Sequence, residues 1–343
     1  MTTTIDRTTT ASPLLDVRDL VVEYRTTGRQ RVRAVSGVSL AIPAGETLGV
    51  VGESGCGKST LGRAIARLID ATSGTVTFDG MDVTRLSHDA LRAARRQFQM
   101  IFQDPISSLN PRRKVRDIVG EGLSVWRSDP AFRTAEARSQ RVDETLEAVG
   151  IDPAAGSRRP YQFSGGQCQR ICIARALAMR PQLLICDEPV SALDVSIQAQ
   201  ILNLLSDLKT AYDLTMVFIA HDLAVVKNIS DRVLVMYLGK ACELAPADEL
   251  YARPAHPYTR VLLESVPTPG ATGDPTVQIH GELPSPLAPP SGCRFRTRCP
   301  LATDRCAAEE PQMRAIGPGH FVACHFPLVE TEAASILDAA AAP

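Results

Sequence analysis

Gly52-Glu53-Ser54-Gly55-Cys56-Gly57-Lys58-Ser59, followed by Thr60, fits the pattern G-x-x-x-x-G-K-[ST]. Gly52, Gly55 and Gly57 let the chain curl with its N–H groups pointing inward, an anion nest at the start of a helix. Lys58 adds a positive charge for β- and γ-phosphates, and the Ser59 hydroxyl is a ligand for Mg²⁺. Alone, the pattern says nucleotide and little more. A glycine turn before an ordinary helix is the plain alternative, and residues farther along decide against it.

Asp187-Glu188 follows the apolar run Leu183–Cys186, so the pair emerges at the C-terminal end of a buried strand. A carboxylate there can hold Mg²⁺ through water, and a second one can orient and deprotonate an attacking water. Ser164-Gly165-Gly166-Gln167 stands before a stretch of helical spacing. It is either a helix cap or a hydroxyl and bare amides aimed at a phosphate, with the helix dipole behind them. Gln103 and His221 each follow a short apolar run; Tyr24 ends another, where an aromatic is more often core.

This series, with Ser191-Ala192-Leu193-Asp194 after the carboxylates, resembles the ATP-binding cassette family over roughly residues 14–260. The resemblance implies a P-loop ATPase that works as a dimer. In it Lys58 and Ser59 bind ATP and Mg²⁺, Asp187 and Gln103 attend the metal, and Glu188 is the general base. His221 contacts the γ-phosphate, Tyr24 stacks on adenine, and Asp194 lies in the D-loop. Ser164–Gln167 contacts ATP held by the opposite subunit.

These residues need a scaffold. Leu14–Val22 alternates apolar and polar residues as an edge strand would. Glu46–Val51 reads as a strand leading into the loop, and Ser59–Leu68 as a helix leaving it. Thr75–Gly80 reads as a strand into a turn, and Phe98–Gln103 as a short strand. Residues 112–160 carry helical periodicity, and Leu214–Ala220 is a further buried strand. The expected fold is α/β, an ABC-type nucleotide-binding domain at 14–260 with a helical subdomain at about 104–165. A small irregular cysteine-rich C-terminal domain is expected at 261–329, between tails at 1–13 and 330–343. Pro267, Pro269, Pro284, Pro286, Pro289 and Pro290 make the connector between them unfit for helix or central strand.

Composition narrows the partners. The 343 residues carry a formal net charge of -1, which argues against a nucleic-acid binder relying on a basic field. No apolar run approaches the ~20 residues that cross a bilayer, so any passage must come from other chains. Thr-rich Met1–Pro13 lacks the apolar core of a secretory signal.

Cys293, Cys299, Cys306 and Cys324 are spaced C-x5-C-x6-C-x17-C, without the tight knuckle of a zinc site. An iron–sulfur cluster, zinc and plain buried thiols are all open, with Cys299-Pro300 resembling a ferredoxin-type ligand. Gln167-Cys168, Pro189-Val190-Ser191, His256-Pro257-Tyr258-Thr259 and Gly281–Pro286 narrow the resemblance to oligopeptide and dipeptide permeases, F-type subunit. That branch implies a [4Fe-4S] cluster on the four cysteines and a D-type sibling ATPase as heterodimer partner. It also implies two membrane permease subunits, an extracytoplasmic solute-binding protein and a place on the cytoplasmic face of the membrane. A nickel importer shares the His256-Pro257-Tyr258 region and is the alternative. DNA-repair and ribosome-associated cassettes carry coiled-coil insertions or two cassettes per chain, absent here. A cassette that holds ATP without turnover is disfavoured by Glu188 and His221.

Overall fold

A computed structural model describes residues 12–25, 31–265 and 282–328. The expected tails, Pro267, Pro269 and Gly281 therefore lie largely or wholly outside the described residues. The chain forms two compact units, Met1–Arg85 with Ile219–Pro343, and Leu86–Phe218.

The strands in chain order are β1 (Leu15–Arg25), β2 (Arg31–Ile42), β3 (Thr47–Val51), β4 (Ser73–Phe78), β5 (Met81–Asp82), β6 (Phe98–Ile101), β7 (Leu183–Asp187), β8 (Thr215–Ile219), β9 (Arg232–Tyr237), β10 (Lys240–Pro246), β11 (Arg314–Gly317) and β12 (His320–Val322). The first unit holds an antiparallel sheet in the order β2-β1-β4-β5. The expected edge strand is therefore interior: β1 is paired with β2 on one side and β4 on the other. Its alternation records one buried face, which an interior antiparallel strand shows equally well.

The second sheet region of this unit runs β11-β12-β10-β9-β3. All five residues of β3 are buried, and it runs parallel to β9 with Gly49 opposite Val233. β10 is antiparallel to β9 and carries β12 on its other side, Glu243 opposite Val322. The C-terminal segment thus continues the sheet of the first unit. A cluster of Tyr237, Tyr258 and Phe295, ring centroids 4.8–5.3 Å apart, seals this region. Edge-to-face pairs of this kind contribute roughly 0.5–1.5 kcal/mol each beyond their area.

The second unit holds β8-β7-β6, with β6 parallel to β7 and Phe98 opposite Leu183. The helical stretch expected at 112–160 appears as helices Val115–Val119, Glu121–Val125 and Ala135–Ala148. Asp129-Pro130 starts a separate 3₁₀ turn, and Thr134 Oγ1 caps helix Ala135–Ala148 by accepting from Ala137 N. Helix Gly165–Leu177 buries Ile171, Cys172, Ala174 and Leu177, and helix Val195–Tyr212 buries Ile201, Leu205 and Leu208.

Candidate functional site

In the first unit β3 delivers the chain into Gly52–Gly57, and helix Lys58–Ile65 follows. Gly57 has φ +105° and Gly52 φ +149°, values that favour glycine. A Cβ on Gly57 would meet Ala34 O at 2.0 Å, and one on Gly52 would meet Met236 O at 2.1 Å. Gly55, with φ +76°, faces open space. The loop therefore lies against the backbone beneath it, and its small residues follow from that contact. Lys58 is only 4% exposed, and its Nζ donates to Gly52 O (2.7 Å) and Glu53 O (3.1 Å). A buried ammonium at a helix N-terminus is a strong electrostatic invitation to an anion. Burial lifts the Cys56 thiol above its ordinary range.

Three other expected residues belong to this unit. Ser59 and Thr60 occupy the first helical turn, and Tyr24 Oη lies 3.4 Å from Thr60 Oγ1. Tyr24 is 39% exposed, so it is a surface ring near the loop's helix and not part of the core. His221 is exposed and follows Ala220, whose N–H donates to Val50 O at 3.1 Å. That bond brings His221 to the end of β3, where the loop begins.

In the second unit Asp187 ends β7 fully buried, and Glu188 sits just beyond with φ +47°. A non-glycine residue in that region costs about 1–3 kcal/mol, which the surrounding bonds must offset. Ser191 N and Oγ both donate to Glu188 O, at 3.3 and 3.1 Å. Gln103 Nε2 donates to Glu188 Oε2 at 2.8 Å, so two expected residues touch.

Ser164 caps helix Gly165–Leu177. Its Oγ accepts from Gln167 N at 3.3 Å, and Gln167 Oε1 accepts from Ser164 N at 3.0 Å. The cap leaves Ser164, Gly165 and Gln167 exposed at a helix start. A Cβ on Gly166 would meet Ile197 Cγ2 at 2.7 Å, so this glycine lets the next helix approach. Asp194 is exposed at the start of that helix, its carbonyl accepting from Ile197 N and Gln198 N.

Comparison with known proteins agrees with this geometry. Residues 35–191 match the family model described as ABC transporter, and residues 242–306 the one described as Oligopeptide/dipeptide transporter, C-terminal region. The oligopeptide transport ATP-binding protein OppF of Escherichia coli (strain K12) is 52% identical over 322 residues, covering 91% of this chain and 95% of that one. The chain belongs to the ATP-binding subunits of oligopeptide ABC importers. AppF of Bacillus subtilis (strain 168), another such protein by name, is 51% identical over 298 residues, 86% of this chain and 89% of that one. A solved dimeric structure of the ATP-binding cassette MJ0796 in a post-hydrolysis state, bound to ADP and Pi, superposes with a TM-score of 0.62 at 29% identity. It covers 68% of this chain and 98% of that one. As an ABC ATPase subunit the protein binds ATP with Mg²⁺ and hydrolyses it. No described helix is long and apolar enough to cross a membrane.

The iron–sulfur expectation is corrected, and zinc with it. Among the described residues, no group of three or more His, Cys, Asp or Glu is placed to hold a metal ion. Burial raises the thiols of Cys293, Cys299 and Cys324, the last to about 12. The segment is fastened by other side chains. Arg294 donates to Leu238 O and Ser36 Oγ, Lys240 pairs with Glu310 at 2.6 Å, and His320 Nε2 meets Glu243 Oε1 at 2.7 Å.

Two residues that touch the phosphate loop were not assigned to it: Tyr258, noted only as part of the permease resemblance, and Arg298. Tyr258 Oη accepts from Glu53 N at 2.9 Å, and Arg298 forms a two-pronged ion pair with the Glu53 carboxylate. For Arg298 the available signal was Glu53 itself, an acidic side chain in a loop meant for an anion.

Proposed function

We propose that each unit supplies a distinct part of the ATPase reaction in a peptide importer. In the first unit, the amides of Gly52–Ser59 and the Lys58 ammonium hold the β- and γ-phosphates. Ser59 Oγ offers a hard oxygen to Mg²⁺, Tyr24 meets the adenine, and His221 contacts the γ-phosphate. In the second unit, Asp187 and Gln103 supply oxygen donors of the kind Mg²⁺ takes, and Glu188 accepts the proton of the attacking water. Mg²⁺ neutralises charge that develops on the transferred phosphoryl group. Gln103 Nε2 holds the Glu188 carboxylate and Ser191 holds its backbone carbonyl, which fixes the base before substrate arrives.

The observation that carries this reading is Lys58, buried within a glycine loop at a helix start with its ammonium on loop carbonyls. The exposed Ser164–Gln167 cap and Asp194 suit contact with ATP on a second cassette. A D-type sibling is the partner we favour, with the pair seated on two permease subunits at the cytoplasmic face of the membrane and served by a solute-binding protein. Peptides are the cargo; no observation here favours nickel. The 14–260 cassette and the 261–329 segment are read as its domains, the latter adding β11 and β12 to the sheet.

Photolabelling with an ATP analogue tests the division of labour. Lys58→Ala should abolish labelling of this chain, while Ser164→Arg should leave it labelled and stop turnover at the partner's site. Loss of this chain's labelling in Ser164→Arg, with the partner's turnover intact, would overturn the shared-site reading.

A further inference from the structure

Glu53 is gripped at four atoms, three of them by residues far along the chain. Its carboxylate receives Arg298 Nη1 at 2.7 Å and Nη2 at 2.9 Å, a parallel fork. Its N–H donates to Tyr258 Oη at 2.9 Å, and its carbonyl accepts from Lys58 Nζ at 3.1 Å. The Arg298 side chain is 8% exposed, so its pair with Glu53 is largely withdrawn from solvent screening. Arg298 Nη1 also donates to Tyr237 Oη at 3.2 Å, and Phe295 packs on both tyrosine rings.

We propose that Arg298 is a positioning residue for the phosphate loop, so that the C-terminal segment sets this chain's affinity for ATP by holding Glu53 and, through it, Lys58. The proposal rests on the reading of residues 52–59 as the ATP phosphate site. The segment has other fastenings: Arg294 bonds Leu238 O and Ser36 Oγ, Lys240 pairs with Glu310, and β10 pairs with β12. What the fork adds is a fixed peptide at Glu53, whose carbonyl is one of the two backbone acceptors for the Lys58 ammonium. Freed from Arg298, that peptide can rotate, and Lys58 loses a fixed point from which to meet phosphate. A lysine in place of Arg298 keeps the charge but not the planar fork.

The test is steady-state ATPase of the assembled transporter, with nucleotide affinity of the full-length chain measured beside it. Arg298→Met should raise KM for ATP about tenfold while kcat changes less than twofold. Glu53→Gln, which leaves the segment's other fastenings alone, should reproduce the shift, and the double variant should be no worse than the more affected single one. Arg298→Lys should recover part of the affinity. Arg294→Met should lower thermal stability yet leave KM unchanged. The proposal is overturned if Arg298→Met and Glu53→Gln leave KM unchanged while Lys58→Ala still abolishes ATP binding, or if Arg294→Met raises KM as much as Arg298→Met. Unchanged affinity in Lys58→Ala would remove the phosphate-site reading, and this proposal with it.

Discussion

Residues 52–59 and residues 282–328 belong to the same unit and are built from opposite materials. The loop is backbone: two glycines lie where a Cβ would strike carbonyl oxygens, and one lysine is folded onto the loop's own peptides. The C-terminal segment has little regular structure, a short helix at Asp304–Ala308 and the β11–β12 hairpin. Side chains hold it: Arg294 and Arg298 reach into the unit, and Phe295 is fully buried among Tyr237, Tyr258 and His256. A backbone device fails when any atom is added to it. A side-chain device fails only at its few anchors, so the two regions should respond to mutation in different ways.

The largest effect should come from Gly57→Ala. It places a Cβ about 2 Å from Ala34 O at a positive φ, so nucleotide binding should fall at least a hundredfold in a fluorescence titration. Binding within threefold of the parent would show that the loop does not depend on its backbone path. Phe295→Ala comes next, removing a buried ring and costing about 3–5 kcal/mol of stability by denaturant unfolding. A loss below about 1 kcal/mol would mean that the segment is held elsewhere.

The smallest effect concerns pH. Burial holds His256 down to about 4, against the pull of the Glu243 carboxylate, which accepts from Ala255 N, His256 N and the His320 ring. Because the unfolded chain takes this proton first, stability is full above about pH 6.5 and declines as pH falls toward about 4, by on the order of 3 kcal/mol. His256→Gln should flatten that part of the pH–stability curve, and an unchanged slope would remove His256 as its source.

The same contrast explains what could be read from the chain beforehand. Loop, carboxylates and signature turn are built from glycine backbone and charged or polar groups at fixed spacing, so Gly52–Ser59, Asp187-Glu188 and Ser164–Gln167 are visible as words. Strand positions were legible from apolar runs, but pairing was not: β1 alternates as an edge strand would while pairing on both sides. In the C-terminal segment cysteine spacing left cluster, zinc and plain thiols open, and the cluster came from the family resemblance. The side chains that fasten this segment are Arg294, Phe295 and Arg298, whose partners Ser36, Tyr237 and Glu53 are remote in sequence. No local pattern announces a contact of that range.

The most direct test uses Glu188→Gln in proteoliposomes holding the assembled importer with its permease subunits and binding protein, with ATP hydrolysis and labelled-peptide uptake followed together. The variant should bind MgATP within about twofold of the parent, while turnover falls about a hundredfold or more and uptake falls with it. Near-normal hydrolysis and uptake by Glu188→Gln would contradict the assignment of Glu188 as the base and the coupling of its chemistry to transport.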